Sequence, residues 1–528
     1  MNAALDLAQL DAQQLRELVL STRDTVACRD REIAFKQALI DKMTHEMAVL
    51  KRLKFAARSE HFSPEQRSLL GETIDTDIAA LELELAKAKP EAEEEASAKD
   101  RPAPEKGQPK RQPLPADLPR TDHLHEPDSL TCQCGCALKR IGEDVAEKLD
   151  YVPGVFTVER HVRGKWVCTD CETLVQAPVA PHIIDKGIPT TGLLAQVLIA
   201  KYVDHLPLYR QEAIFGRAGL AIPQSTLAHW VGTCGVQLQA LVDALHEELL
   251  THTVLHADET PVAMLKPGNG KTHKAYLWSY CTTSFDTVKA VVFDFAETRA
   301  GQHARDFLGI DTEAPDSGWH GTLVCDDYSG YKAGFKHGVV EAGCLAHARR
   351  KFHELWANHQ STLAEQALKF FGLLYDIERN VQHLSAEERG RRRKDESDPI
   401  AKNFHAWLEA QRTRVPNGSA TAKAIDYSLK RWEALTLYLG DGNLPCDNNW
   451  VENQIRPIAI GRNNWLFAGS LRAGKRAAAI MSLVHSARLN GHDPYAYLRD
   501  VMERLPTQPA SRIEELLPHR WQPHSAPV

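Results

Sequence analysis

Apolar residues at helical spacing dominate residues 5–70 and predict a helical N-terminal segment. Ile33, Ile40 and Met47 are seven apart, Met43 and Leu50 take the complementary positions, and Lys36 interrupts the first of these. That repeat fits a short coiled coil and fits a plain amphipathic helix equally. Arg52, Lys54 and Arg58 give its far end a basic face. Helical spacing returns over residues 189–250. The period then shortens. Thr253–Ala257, Lys274–Cys281 and Val288–Phe295 predict a three-strand antiparallel meander. A helical stretch follows near Ala300–Leu308, then a fourth strand, Gly321–Cys325, and a fifth, Val339–Cys344, which leads into the basic helix Leu345–Phe352. Residues 355–440 are helical in pattern, with a charged break at Glu387–Glu396. A helix around Val451–Ile460 and a terminal helical segment over residues 480–518 complete the chain.

Three acidic stretches stand out against this pattern. Val254-Leu-His-Ala-Asp-Glu-Thr-Pro-Val262 reads as a buried strand ending in Asp258 and Glu259. A carboxylate there costs several kcal/mol to desolvate unless it is paired, hydrogen-bonded or bound to a metal. Taken alone, Asp258 fits a turn cap beside Pro261 equally well. Two further stretches shift the balance: Leu323-Val-Cys-Asp-Asp-Tyr-Ser-Gly-Tyr331, and Asp447-Asn-Asn-Trp-Val-Glu-Asn-Gln-Ile-Arg456. Three strands, a helix, a strand with acid at its end and then alternating elements is the order of a ribonuclease-H-like sheet. Carboxylates from distant sequence can converge to hold two Mg²⁺ ions through hard oxygen ligands, and such ions clamp the attacking and leaving oxygens of a phosphodiester displacement. Neither a serine-type triad nor a phosphate-binding glycine loop stands out.

Composition narrows the class. The 528 residues suggest about two to four domains. A hydrophobic content of 43% and a charged content of 25% are ordinary for a soluble globular protein. The net charge of −7 excludes a uniformly basic surface, so a DNA site has to be a local patch. The N-terminus lacks the basic start of a signal peptide, and the apolar run Gly192–Val203 is too short to span a bilayer. These features predict a cytoplasmic protein. Residues 82–95 are acidic and residues 99–122 are Pro-rich and basic, which predicts a disordered linker.

The 11 cysteines are too few and too scattered for a disulfide framework, but five of them cluster. Cys132, Cys134 and Cys136 form one knuckle and Cys168 and Cys171 the other, parted by strand-like sequence around Val155–Val162. Four of the five suit a structural zinc ribbon, with one thiol spare and His123 and His125 close by; the alternative is a set of reduced structural thiols. Between this cluster and the first acidic strand, Leu206–Trp230 has the rhythm of a helix-turn-helix. One helix ends near Gly216–Gly219, Pro223 opens the next, and Ser225 or Thr226 stands where a cap or a phosphate contact would lie. An ordinary αα-hairpin has the same pattern. Basic residues accompany the second and third acids: Arg349, Arg350 and Lys351, then Arg456, Arg462, Arg472, Lys475 and Arg476, interleaved with Asn463, Asn464, Trp465 and Phe467. That mixture suits a nucleic-acid surface, and its plainer reading is a solvated charged face.

Together, VLHADETPV, CDDYSGY, CLAHARRKF, DNNWVENQIRPIAIGRNNWLFAGS and Leu489-Asn-Gly-His-Asp-Pro-Tyr-Ala-Tyr-Leu-Arg-Asp-Val501 resemble the transposases of the insertion-sequence-66 family, a DDE group of bacterial mobile elements. The resemblance runs through nearly the whole chain. It implies a multidomain α+β protein: a helical or coiled-coil segment (1–81), a disordered linker (82–122), a zinc-binding module (123–185), a helix-turn-helix domain (186–250), a ribonuclease-H-like catalytic domain (251–480) with a helical insertion at about 355–440, and a C-terminal helical segment (481–528). Carried over by motif, the catalytic and Mg²⁺-binding acids are Asp258, Asp326 and Glu452, with Mn²⁺ as a substitute metal. Two positions depart from the family pattern: Asp327 stands where Gly is frequent, and Trp450-Val-Glu-Asn453 replaces a common Ala-Ala-Glu-Arg. The activity implied is binding of terminal inverted repeats, metal-dependent cleavage and strand transfer on double-stranded DNA. The partners implied are a second copy of the chain on DNA and accessory proteins of the same element. Two other readings remain: a catalytically silent DNA-binding derivative, and a metal nuclease that never joins strands.

Overall fold

The computed structural model describes residues 12–56, 64–88, 114–116, 118–127, 129–131, 136–152, 154–184, 187–265, 272–314 and 317–523. The chain opens with two helices, α1 (Ala12–Ala56) and α2 (Pro64–Ala88). Along α1 the heptad positions divide. Ile33 is exposed, whereas Met43 is buried where α1 packs on α2. The side chains of Arg52, Lys54 and Arg58 lie outside the described residues, as does most of the Pro-rich linker. That linker is shorter than its composition suggests. Glu82 and Glu84 belong to the last turns of α2, and Arg120–His125 forms β1.

The second unit is a small sheet. β2 (Leu138–Val152) and β3 (Val155–Cys168) form a long antiparallel hairpin, β1 lies parallel to β3, and β4 (Leu174–Gln176) pairs antiparallel to β3. Three helices follow: α3 (Thr191–Tyr202), α4 (Leu208–Arg217) and α5 (Gln224–Leu250). Thr190 caps α3, its hydroxyl accepting from the Leu193 N–H at 3.1 Å. The α4–α5 pair forms as the spacing predicts, but α5 is mostly interior. Leu227, Trp230, Val231, Leu238, Leu241 and Leu245 are buried, and the helix packs on α2.

The third unit is a five-stranded mixed sheet. Its strands are β5 (Val254–Leu265), β6 (Thr272–Cys281), β7 (Val291–Ala296), β8 (Thr322–Cys325) and β9 (Val340–Gly343), in the order β7-β6-β5-β8-β9. The first three are antiparallel, as expected, and β8 and β9 continue the sheet in parallel. Helix α6 (Gly301–Phe307) precedes β8, and α7 (Lys332–Phe335) lies between β8 and β9. Helix α8 (Leu345–His359) leaves β9 directly. The insertion follows as α9 (Thr362–Val381), α10 (Ala386–Arg392), a π-helical turn (Arg393–Ser397), α11 (Asp398–Arg412), α12 (Ala420–Lys430) and α13 (Trp432–Thr436). The chain returns to the sheet through α14 (Asn449–Trp465), α15 (Leu471–Leu489) and α16 (Pro494–Arg504).

One expectation fails here. The charged stretch Glu387–Glu396 is helical, not a break, because the fully buried Arg393 pairs with Glu378 at 2.7 Å and donates to the carbonyls of Tyr438, Asp441 and Leu444. Residue 480 lies inside α15, which covers the free edge of β7. Ser482 and Ser486 accept from the N–H groups of Phe293 and Val291, so the edge strand is satisfied by a helix.

The pleat of the sheet sorts residues between two cores. Leu255, Ala257, Leu323 and Cys325 face the larger core, shared with α5 and α15. Val254 and Val324 face the smaller one, shared with α8 and the insertion helices. Even-numbered positions at the start of β5 and in β8 therefore look toward the insertion, whereas Val262 and Met264, farther along β5, pack in the larger core. Among the described residues no helix is long and apolar enough to cross a membrane.

Candidate active site

Strand register brings the first two acids together. β5 and β8 pair in parallel as far as His256 with Val324, and Asp258 and Asp326 each lie two residues beyond that rung, on the side facing the insertion. β8 ends at Cys325, whereas β5 runs on to Leu265 because β6 continues to pair with it. Asp258 is thus in mid-strand, not at the strand end its sequence suggests. Its site opens because its neighbour on one side has stopped. Pro261 marks no turn. Its carbonyl points away from β6 and accepts from Arg462 at 2.6 Å, on the side β8 no longer covers.

The acids face one another. Burial raises the Asp258 carboxyl well above the usual range, and the charge of Glu259 adds to this; the Glu259 N–H opposes the shift, and Asp326 and Glu452 raise it further. Asp258 accepts that N–H at 2.9 Å, and Asp326 accepts the N–H of Tyr328 at 2.9 Å. Glu452 lies one turn into α14. Its Oε1 is buried without a hydrogen bond, and its nearest cations are loosely placed, His347 at 3.8 Å and Arg350 at 3.6 Å. Among the described residues no three Asp, Glu, His or Cys side chains are gathered closely enough, as they stand, to hold one ion. The donor set is nevertheless one of hard oxygens whose mutual charge a divalent cation would offset.

Asp327 is different. It pairs with Lys332 at 2.9 Å and Arg431 at 3.5 Å. The structure gives the turn contact to Asp326 and the ion pairs to Asp327. Arg431, from the end of the insertion, also reaches the Asp326 carbonyl at 3.4 Å and forms an ion pair with Glu341.

Of the groups that surround the site, Glu259, Tyr328 and Tyr331 lie in the acidic stretches and Arg299 lies in none of them. Glu259 accepts from the Tyr331 hydroxyl at 2.6 Å and from Arg299 Nε at 2.7 Å. Burial raises its carboxyl, and these two donors oppose the shift. Arg299 also lies over the Tyr328 ring, 3.8 Å from its centroid. A lone arginine such as Arg299 shows no pattern in the sequence. His347 lies in the motif CLAHARRKF, two residues before Arg349.

The expected nucleic-acid residues separate into two groups. Arg349, Arg350, Lys351, Arg456, Asn463, Asn464 and Lys475 are exposed. Arg462, Arg472 and Arg476 are engaged within the fold. Arg462 holds Pro261, Arg472 pairs with Glu84 at 2.7 Å and Glu46 at 3.3 Å, and Arg476, only 7% exposed, pairs with Asp77 at 2.9 Å. Ser225 is exposed and Thr226 half-buried, and neither caps α5; Glu212 accepts the first N–H of that helix at 3.3 Å.

At the cysteine cluster, Cys132 and Cys134 lie outside the described residues. Leu138 pairs with Cys168 across the β2–β3 hairpin, so Cys136, Cys168 and Cys171 all sit at one end of it. Cys136 contacts Asp170 at 2.6 Å, and Cys171 lies 3.1 Å from the Thr173 hydroxyl.

Fold and site together describe a multidomain α+β protein in which an N-terminal helical segment and a cysteine-bearing module precede a sheet with convergent acids. The chain belongs to the IS66 transposase family. Residues 186–476 match the Transposase IS66 family, and 482–519 match the IS66 C-terminal element. Residues 129–172 match the zinc-finger binding domain of transposase IS66, and 42–122 match a family described as Transposase C of IS166 homeodomain. Among curated proteins the chain is similar to three from Sinorhizobium fredii. It is 34% identical to uncharacterized protein y4jD over 90% of this chain and 94% of that protein. It is 34% identical to y4qI over 92% and 89%, and 35% identical to y4hP over 79% and 78%.

Proposed function

We propose that this chain is a DNA transposase that binds the terminal inverted repeats of its element, cleaves them with divalent metal and joins the freed 3′-hydroxyl to target DNA. The observation that carries this is the placement of Asp258 and Asp326 at one level of adjacent parallel strands, with Glu452 close enough to raise the Asp258 carboxyl. The strand order β7-β6-β5-β8-β9 supports a ribonuclease-H-like domain. Asp258, Asp326 and Glu452 would hold two Mg²⁺ ions, which supply an activated water and stabilise the leaving oxygen. The chain's own residues orient the reaction. Arg299 and Tyr331 keep Glu259 out of the metal set by satisfying its oxygens, and Arg431 fixes the backbone of the Asp326 turn. Exposed Arg349, Arg350, Lys351, Arg456 and Lys475 with Asn463 and Asn464 supply phosphate contacts, and Ser225 presents the start of α5. The protein acts in the cytoplasm as an oligomer on DNA. One structural Zn²⁺ sits in the N-terminal module, held by Cys168, Cys171 and two of Cys132, Cys134 and Cys136.

Glu452→Gln tests the reading, because it removes charge but little volume. End-DNA binding stays near wild type while Mg²⁺-dependent cleavage falls by orders of magnitude. Undiminished cleavage removes Glu452 from the site, a wild-type chain that binds ends without cutting them is a silent derivative, and one that cuts without joining is a nuclease. Metal analysis of the purified chain gives about one Zn²⁺ per chain, as one tetrahedral four-ligand site requires, and a folded zinc-free protein overturns that assignment.

A further inference from the structure

Asn448 occupies the N-cap position of α14 but does not cap it. An Asn there ordinarily accepts an N–H from the first turn of its own helix. Asn448 makes no such bond, and the neighbouring Asp447 accepts the Asn449 N–H at 3.1 Å instead. The Asn448 side chain, 0% exposed, turns to β5. Its Nδ2 donates to the Ala257 carbonyl at 2.8 Å, and its Oδ1 lies 2.8 Å from His256 Nδ1. Because Nδ2 is the donor, Oδ1 is the acceptor, and His256 presents Nδ1–H to it.

The main chain of Asn448 reaches two more elements. Its N–H donates to Cys344 Sγ at 3.1 Å, at the start of the helix bearing His347 and Arg350. Its carbonyl accepts the Glu452 N–H at 3.3 Å. One buried residue therefore joins the residue preceding Asp258, the backbone of Glu452 and the helix that faces Glu452. Buried amide networks fix an arrangement where their members are satisfied; both side-chain polar atoms of Asn448 are, while the far ring nitrogen of His256, Nε2, is buried without a hydrogen-bond partner.

We propose that Asn448, with His256 as its donor, is a positioning residue that sets Glu452 in register with Asp258 for divalent-metal binding. This rests on the metal-site reading above. Outer partners of metal ligands typically change metal affinity about 10–100-fold when removed. The test uses the full chain and Mn²⁺ alone, titrated against the resonance signal of free Mn²⁺, beside the Mg²⁺ dependence of end cleavage. Asn448→Ala weakens Mn²⁺ binding by about tenfold or more and raises the Mg²⁺ needed for half-maximal cleavage, while end-DNA binding in chelator is unchanged. A cooperatively melting Asn448→Ala protein that binds Mn²⁺ like wild type overturns the proposal. If that variant does not fold, the His256 pair decides. His256→Asn keeps a donor near the Nδ1 position and retains most of the Mn²⁺ affinity, whereas His256→Leu loses it; equal affinities overturn the proposal. A wild-type chain that binds Mn²⁺ but never cuts DNA refutes the transposase reading and leaves the affinity comparison to decide this one. A wild-type chain that binds no Mn²⁺ overturns both.

Discussion

Asp77 and Glu72 of α2 are buried against Arg476 of α15 and Lys201 of α3, while at the end of the mixed sheet Asp258, Asp326 and Glu452 are gathered against one another. The first region matches each interior charge. Asp77 also accepts from Ser470, and Glu72 accepts the Leu208 N–H at 2.9 Å. Such pairs offset their own desolvation and fix how the N-terminal helices dock. The second region leaves like charges facing each other, which weakens the fold unless positive charge arrives from outside. Acids whose counter-ions are absent or, as for Glu452, only loosely placed mark where function is kept at a cost in stability. Asp326 and Asp327 divide between the two regimes: Asp327 has its cations and Asp326 does not.

That division gives the largest expected effect. Asp326→Asn abolishes cleavage and strand joining, whereas Asp327→Asn retains most activity because it loses only the ion pairs to Lys332 and Arg431, and Arg431 keeps Glu341 and the Asp326 carbonyl. A Mg²⁺-dependent end-cleavage assay with the reverse result places Asp327 in the site and dissolves the contrast. Next in size is the paired region. Asp77→Asn leaves Arg476 buried without its carboxylate and costs about 3–5 kcal/mol, read by chemical denaturation of the full chain. A loss below about 1 kcal/mol, the scale of a surface ion pair, means that α2 is not held by this contact.

What the sequence revealed follows from the range of each interaction. The antiparallel meander was legible because strand alternation is local, and Asp258, Asp326 and Glu452, the proposed metal-binding acids, stand in long motifs. The extent of β5 was not, since it depends on β6 continuing to pair past Asp258. Arg472 and Arg476 read as a DNA face because their carboxylates lie nearly four hundred residues earlier. The same blindness applies to Arg393, whose partner Glu378 is fifteen residues away and turns an apparent charged break into a buried anchor. Ser225 and Thr226 looked like caps because cap preference is local, yet Glu212 from the preceding helix takes the role. Asn448 stood inside a recognised motif, but its role depends on a strand 191 residues earlier.

The smallest effect concerns Asp258 in the absence of metal. Its folded-state carboxyl is raised, first by burial and then by Glu259, so the native chain holds this proton more tightly than the unfolded one does. Stability from this group is therefore full below the unfolded carboxylate pKa of about 4 and is lost as pH rises toward the raised folded value. Asp258→Asn removes that dependence. In chelator the Asp258→Asn protein and wild type melt together at acidic pH and separate as pH rises, with the variant higher by a few degrees near neutrality. Added Mg²⁺ narrows the gap, because a bound cation supplies the charge that the paired region supplies internally. A wild type that melts above Asp258→Asn at neutral pH in chelator would falsify the claim that these acids lack compensation, and with it the contrast between the two regions.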